Sequence, residues 1–277
     1  MDGLFNKNVK VYQSTFKKLI YEEILLRCSK ENWFLYNIGN LIPTIVLGYS
    51  GKIDELLNVH KVNNDKINVI RRYTGGGTVI VDESTIFASI IMNSKDANTQ
   101  PYPRNIMSWS DNILYGPIFK KYNKSFSLRE HDYVFSDLKF GGNAQSIIKD
   151  RWVHHTSFLW DYNPKRMEYL KIPSKKPEYR GERNHKDFLT TLKENLPSMN
   201  EFQNNIIEQL STVYDVKLID NNTIEKIVND LKNESNSNIH SLIRTVNVDI
   251  ENHIKKTEEL KMIIPSLVKS GPSCTNI

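Results

Sequence analysis

Apolar positions along the chain follow two periods. Phe16, Leu19, Ile20 and Ile24 recur at helical spacing and predict a helix over 16–30. Pro43–Gly48 is a short apolar run closed by Pro and Gly, the pattern of a buried strand. The stretches 67–72, 78–81 and 86–91 are rich in β-branched residues and read as further strands. A helix is expected over 106–122. Two apolar arms, 138–148 and 152–160, flank Lys149-Asp150-Arg151 and predict a hairpin. From Pro173 to Lys186 no period is visible, as in a functional or disordered loop. Phe202, Ile206, Ile207, Leu210 and Val213 share one helical face, and Ile224, Ile227, Val228 and Leu231 repeat at i, i+3, i+4, i+7. Between them Asp215–Ile219 reads as a short strand, and Asn233–Asn238 as an exposed loop. The mixture predicts an α+β fold with a mixed, largely antiparallel sheet flanked by helices.

Composition narrows the class. With 277 residues, 39% of them apolar, the chain can bury a full core, which excludes a wholly disordered protein. At about 150 residues per domain it holds one large domain, with or without a small appendage. A net charge of +5 is too mild for a dedicated nucleic-acid binder and favours acidic partners. Cys28 and Cys274 supply neither a disulfide framework nor a zinc spacing, which suggests a reducing compartment, the cytoplasm, with the choice of organelle left open. No apolar run approaches the roughly 20 residues of a membrane span, and Met1–Lys10 lacks the features of a signal segment.

Three segments carry candidate chemistry. In Arg71-Arg72-Tyr73-Thr74-Gly75-Gly76-Gly77-Thr78-Val79-Ile80, three glycines stand between two predicted strands. Such a turn permits positive φ, and its successive N–H groups can cradle phosphate or carboxylate oxygens. The two arginines add charge-assisted donors. The competing reading is a plain glycine-rich connection, and no Gly-Lys-Ser/Thr follows, so this is not a P-loop. Lys139 precedes Gly141-Gly142 on a predicted strand, where a solvated lysine is the ordinary alternative. His154 and His155 occupy the facing arm and must point to opposite sides of the sheet.

In order, Arg-Arg-x-Thr-Gly-Gly-Gly, Lys139-x-x-Gly-x-Ala144 and His-x-Thr/Ser resemble the lipoate–protein ligase family of the biotin/lipoate ligase superfamily. The resemblance starts near Glu22-Glu23 and extends through Pro43–Tyr49 to Lys176–Phe188, roughly residues 15–200. Departures are Gly141-Gly142-Asn143 in place of Ser-Gly-Ser, and Val81 where a His often precedes the residue matched by Asp82. The resemblance implies the ligase catalytic-domain fold and a two-step reaction. Lipoate and ATP give lipoyl-AMP and pyrophosphate, then a lysine of an acceptor domain takes the acyl group and AMP leaves. Lys139 would be the catalytic cation between carboxylate and α-phosphate. Arg72 and Gly75, Gly76 and Gly77 would hold the acyl-adenylate. Val79, Ile80 and Val81 would wall the acyl tunnel, and Val79 and Ile80 would contribute backbone to the adenylate. Thr78, Asp82, Gly142, Asn143, Ala144, His155 and Thr156 would complete the substrate site. Mg²⁺ would arrive on the substrate phosphates, with no protein metal cage.

The implied acceptors are lipoyl domains of 2-oxoacid dehydrogenase E2 subunits or the glycine cleavage H protein, with no nucleic acid or membrane partner and a monomeric enzyme. An octanoyl transferase of the same fold would need a cysteine near Lys139, and Cys28 and Cys274 are distant in sequence. A biotin ligase would carry a Gly-Arg-Gly-Arg segment, which is missing. A non-catalytic adenylate- or carrier-binding protein is the remaining alternative. Residues 1–240 are expected to form the catalytic domain and 241–277 a helical tail, too short for a full accessory domain.

Overall fold

The computed structural model describes residues 8–13, 18–38, 42–234 and 243–258. Its strands are β1 (Asn8–Gln13), β2 (Asn32–Ile38), β3 (Thr44–Leu47), β4 (Asn68–Arg71), β5 (Val79–Val81), β6 (Thr85–Asn93), β7 (Phe126–Arg129), β8 (Asp132–Phe135), β9 (Leu138–Ile148), β10 (Arg151–Leu159), β11 (Asp215–Ile219) and β12 (Val246–Asn247). The α-helices are α1 (Lys18–Cys28), α2 (Ile53–Leu56), α3 (Val59–Asn64), α4 (Pro103–Trp109), α5 (Gly116–Tyr122), α6 (Pro164–Met167), α7 (His185–Phe188), α8 (Met199–Ser211) and α9 (Asn221–Glu234), with a last helix, α10, over 250–258. Eight strands form one sheet in the order β11-β1-β2-β6-β10-β9-β8-β7, and four form a second in the order β12-β4-β3-β5. The first is antiparallel except where β1 runs parallel to β2 and β11; in the second, β3 and β4 are parallel. This is the mixed α+β architecture expected from the sequence.

Alternation along the strands sorts the core into layers. One face of the large sheet (Trp152, Phe158, Phe34, Ile90) packs on α4, α5 and α8 in an aromatic-rich core centred on Phe119. The other face (Val153, Ile91, Leu35, Trp33) packs on α1 and α9. The small sheet turns Ile45, Leu47, Val69 and Ile80 toward α2, α3 and α10, and Val46, Val79 and Val81 toward Phe87 of the large sheet and Leu19 of α1. That last, thin apolar seam lies between the sheets.

The expected strands at 44–47, 68–71, 79–81, 85–93 and 215–219 are present, whereas β1, β2, β7, β8 and β12 were not anticipated. Within the expected helix over 16–30, α1 spans Lys18–Cys28, and Phe16 lies outside the described residues. The hairpin connection is Lys149-Asp150, with Arg151 already paired in β10. The expected helix over 106–122 is interrupted by a π-helical turn, Ser110–Tyr115. Pro117 explains it: it has no N–H for the ladder, and the amide of Gly116 reaches back five residues to Asp111. Of the loop expected at 233–238, Asn233 and Glu234 close α9 and the rest lies outside the described residues. No described helix is long and apolar enough to cross a membrane.

The segment after residue 242 is pinned by one buried side chain. Glu23, fully buried, accepts from the amides of Arg244 and Thr245, from the Thr245 hydroxyl and from Arg27. This places β12 against β4 and Ile250 in the core behind the small sheet. Removing the carboxylate strands these donors, which costs about 2–3 kcal/mol. Glu23→Ala is therefore expected to lower the urea midpoint by that equivalent, with faster hydrogen exchange at the Arg244 and Thr245 amides.

Candidate active site

The site forms where the Gly75–Gly77 turn meets β9. Arg72 is buried, and its guanidinium faces inward: Nε donates to Thr74 Oγ1 at 2.9 Å, Nη2 to the carbonyls of Gly75 and Gly77 at 2.8 Å each, and Nη1 to Val46 O at 3.4 Å. Burial pushes its pKa down to about 10, opposed by the nearby charge of Glu22. These bonds make Arg72 the residue that holds the turn. With the carbonyls drawn inward, the amides of exposed Gly75–Gly77 donate to no partner among the described residues. Gly76 has φ +93°, and a Cβ there would meet Arg72 Nη2 at 3.0 Å and Ala144 Cβ at 3.4 Å.

Below the turn, Lys139 is aimed by a β-bulge. The β8–β9 register shifts between Tyr133, paired with Gly141, and Val134, paired with Lys139, so Phe140 is an extra residue. Lys139 and Gly142 consequently share a face: a Cβ at Gly142 would lie 3.2 Å from Lys139 Nζ. Lys139 Nζ pairs with Asp132 Oδ1 at 2.8 Å, and Asp132 Oδ2 accepts from the Tyr179 hydroxyl at 2.9 Å. The basic stretch after Pro173 folds back here. Arg180 and Arg183 stack on Phe188, Arg183 pairs with Asp137, and the Thr190 amide donates to Lys139 O at 2.9 Å. Arg180 is buried, and its Nη2 has no hydrogen-bond partner among the described residues.

The adjacent histidines point to opposite faces, as the strand period requires. His155 shares the face of Ala144 and donates through Nδ1 to Glu22 at 3.1 Å. Fully buried Glu22 also accepts from Tyr73 OH at 2.8 Å and from Ser89 Oγ. Burial and the Glu22 charge push the Tyr73 phenol well up, so it remains a donor. The His155 ring meets Phe87 edge-on at 5.7 Å, at the inner end of the apolar seam. His154 lies on the face that packs on α4, α5 and α8, bonded to Gln145 Nε2 at 3.1 Å and near Tyr133 OH and Thr156 Oγ1.

The structure thus gathers Lys139, Gly142, Ala144, Gly75–Gly77 and His155, with Val79 and Val81 along the seam. Others among the expected residues lie elsewhere. The Ile80 side chain faces the core behind the small sheet. The Asn143 and Thr156 side chains lie on the face of the large sheet that packs on α4, α5 and α8 and bond each other at 2.6 Å. Asp82 orders its own turn through Ser84 and Thr85 and pairs with Arg166. Thr78 Oγ1 is buried with no hydrogen-bond partner among the described residues. Sequence reasoning missed Asp132, Tyr179, Arg180, Ser89 and Tyr73; the one available signal was the polar pair Glu22-Glu23 inside an apolar helical pattern.

Residues 14–211 match the lipoyl protein ligase A/B catalytic domain family. The chain belongs to that family. A Plasmodium falciparum relative named inactive lipoate–protein ligase 2 is 30% identical over 262 residues, covering 74% of this chain and 68% of its own. A probable lipoate-protein ligase A of Mycoplasma genitalium is 28% identical over 164 residues, and the chain spans only 45% of its length. Among solved structures, lipoate-protein ligase A bound with ATP aligns with TM-score 0.62 at 16% identity over 82% of this chain and 94% of that one. Lipoate-bound LipL1 of P. falciparum aligns with TM-score 0.59 at 17% identity, over 81% and 71%. The fold of this chain is theirs.

Two predictions follow from the packing. A Cβ at Gly48 would lie 2.2 Å from Gly76 O, so Gly48→Ala must displace the turn. It is expected to cost about 2 kcal/mol in denaturant unfolding and to shift the Gly75–Gly77 amide resonances. Burial, with His155 adding to it, pushes His154 down to about 3. The unfolded chain, near 6.5, therefore binds the proton first, and stability falls as pH drops from about 6.5 toward 3. Between pH 7 and 5, His154→Gln should lose about 2 kcal/mol less stability than the unsubstituted protein.

Proposed function

We propose that this protein is a lipoate–protein ligase, activating lipoate with ATP to lipoyl-AMP and transferring the lipoyl group to a lysine of lipoyl domains. Residues 1–240 form its catalytic unit, and β12 and α10 pack onto it from beyond residue 240. The observation that carries the reading is Lys139, aimed by the bulge onto the face covered by the glycine turn. A carboxylate attacking an α-phosphate brings two anions together. A fixed cation between them lowers that repulsion and stabilises charge as it develops. The outward amides of Gly75–Gly77 suit the phosphoryl oxygens, and the Val46–Val79–Val81–Phe87 seam suits the thin acyl chain. Among the described residues no group of three or more His, Cys, Asp or Glu could hold a metal ion. Mg²⁺ in this reading comes with the nucleotide phosphates, and Asp132 is the protein carboxylate at hand.

The acceptors are lipoyl domains of 2-oxoacid dehydrogenase E2 subunits or the glycine cleavage H protein, met by a monomer. Acidic acceptor domains would be drawn to the basic stretch Lys171–Lys186, part of whose charge is offset by the pairs Lys176–Glu182 and Arg183–Asp137. A second reading, favoured by the word inactive in the P. falciparum relative's name, is that the chain does not itself activate lipoate; it would then act as a transferase on lipoyl-AMP made elsewhere. Purified protein given ATP, Mg²⁺ and lipoate should exchange labelled pyrophosphate into ATP. Lys139→Ala should lose at least about 100-fold of that rate while remaining folded. Absent exchange together with transfer from preformed lipoyl-AMP leaves the second reading; a Lys139→Ala variant retaining a tenth of the activity removes Lys139 from the chemistry.

A further inference from the structure

We propose that His185 is the base that takes a proton from the acceptor lysine during acyl transfer. This rests on the function proposed above and adds a residue to it. His185 opens α7, whose cap is the Asn184 side chain accepting from the Asp187 amide. The strap that carries it is fastened around Lys139 on three sides. Tyr179 OH donates to Asp132 at 2.9 Å, Arg183 Nη1 to Asp137 Oδ2 at 3.0 Å, and the Thr190 amide to Lys139 O at 2.9 Å. The imidazole is half-buried and makes no hydrogen bond among the described residues.

Leu189, four residues further along the strap, bridges to Lys139 itself, and the charges that act on the ring are those of Arg180, from the turn before α7, and Lys139, from β9. Burial and then these two cations hold its pKa below the usual value, so the ring is neutral near pH 7 and has a lone pair to offer. The other candidates beside Lys139 are occupied. Asp132 is held by Lys139 and Tyr179, His155 is bonded to Glu22, and His154 lies on the opposite face of the sheet.

The chemistry needs such a group. An acceptor lysine reaches the site as an ammonium, with a solution pKa near 10.4. Two protons leave its nitrogen on the way to the amide. The first goes to water before attack. As the nitrogen bonds to the acyl carbon and the carbon–oxygen bond to phosphate breaks, AMP departs and the second proton passes to the imidazole, then to solvent. Arg180 and Lys139 stay with the departing phosphate while the neutral ring serves the amine.

Single-turnover transfer from preformed lipoyl-AMP to an apo lipoyl domain, using the full chain, tests this. His185→Gln is expected to slow transfer about 100-fold and to leave lipoyl-AMP affinity within threefold. In the unsubstituted protein the logarithm of the rate should rise with slope two at low pH and slope one once the imidazole is neutral; the variant should show slope one throughout. Added imidazole should restore His185→Ala. Transfer by His185→Gln within threefold of the unsubstituted protein, a loss confined to lipoyl-AMP affinity, or His185→Ala unrescued with both slopes retained in His185→Gln would each overturn the assignment. An unsubstituted protein that transfers nothing from lipoyl-AMP overturns the proposed function itself, and the role of His185 with it.

Discussion

The guanidinium of Arg72 turns inward, and the geometry of the site follows from that choice. A buried arginine with four hydrogen bonds, three of them to backbone carbonyls, fixes the path of the chain through Gly75, Gly76 and Gly77. A carbonyl held inward leaves the neighbouring amides facing outward, which converts a flexible triple glycine into an ordered row of donors. The same arrangement brings Gly76 O so close to Gly48 that only glycine fits there. Sheet position, turn shape and donor direction are thus set together by one cation that need not touch a substrate.

Lys139 depends on a second constraint, the extra residue in β9. Strict alternation would place Lys139 and Gly142 on opposite faces, since they are three residues apart. The bulge at Phe140 returns both to one face, while Phe140 and Gly141 contribute to the aromatic core through Phe135, Phe158 and Tyr133. Gly142 then leaves room for the lysine to lie across the strand. Asp132 balances the ammonium, so an arriving anion must compete with a carboxylate that Tyr179 already orients. That competition favours ligands carrying more than one negative charge near Lys139, as a nucleotide does.

Legibility in the sequence followed the strength of local signals. Strands buried on both sides, such as Thr44–Leu47 and Thr85–Asn93, announced themselves as apolar runs, and α8 and α9 by clean amphipathic periods. β7 and β8 escaped because their two-residue turns open with Glu130 and Ser136 in the left-handed region, without the Asn-Gly or Asp-Gly that marks such hairpins. β1 pairs only with distant segments, β2 and β11, in parallel, which no local pattern reveals. At the site, the glycine turn, Lys139 and His155 were legible from their motif. The faces of Asn143, Thr156 and Ile80 depend on registers and sheet layers that appear only in three dimensions. Arg180 and His185 fall in the Lys176–Phe188 block of the resemblance, but a strap held by hydrogen bonds and ring contacts has no period from which to place them beside Lys139.

The two consecutive glutamates of α1 tie these parts into one unit. Both are fully buried, about a quarter-turn apart on the helix, so they reach different neighbours. Glu22 gathers Tyr73 beside Arg72, Ser89 from β6 and His155 from β10, joining the turn to the large sheet. Glu23 gathers the backbone at Arg244 and Thr245 and so seats β12 and α10 on the small sheet. A buried carboxylate is tolerable only when every lone pair is matched, so each glutamate admits few alternative arrangements of its partners. The small sheet is therefore held at two points, just past β4 by Glu22 through Tyr73 and at β12 by Glu23. Both bonds originate on one helix, so α1 sets the place of the small sheet against the large one across the apolar seam.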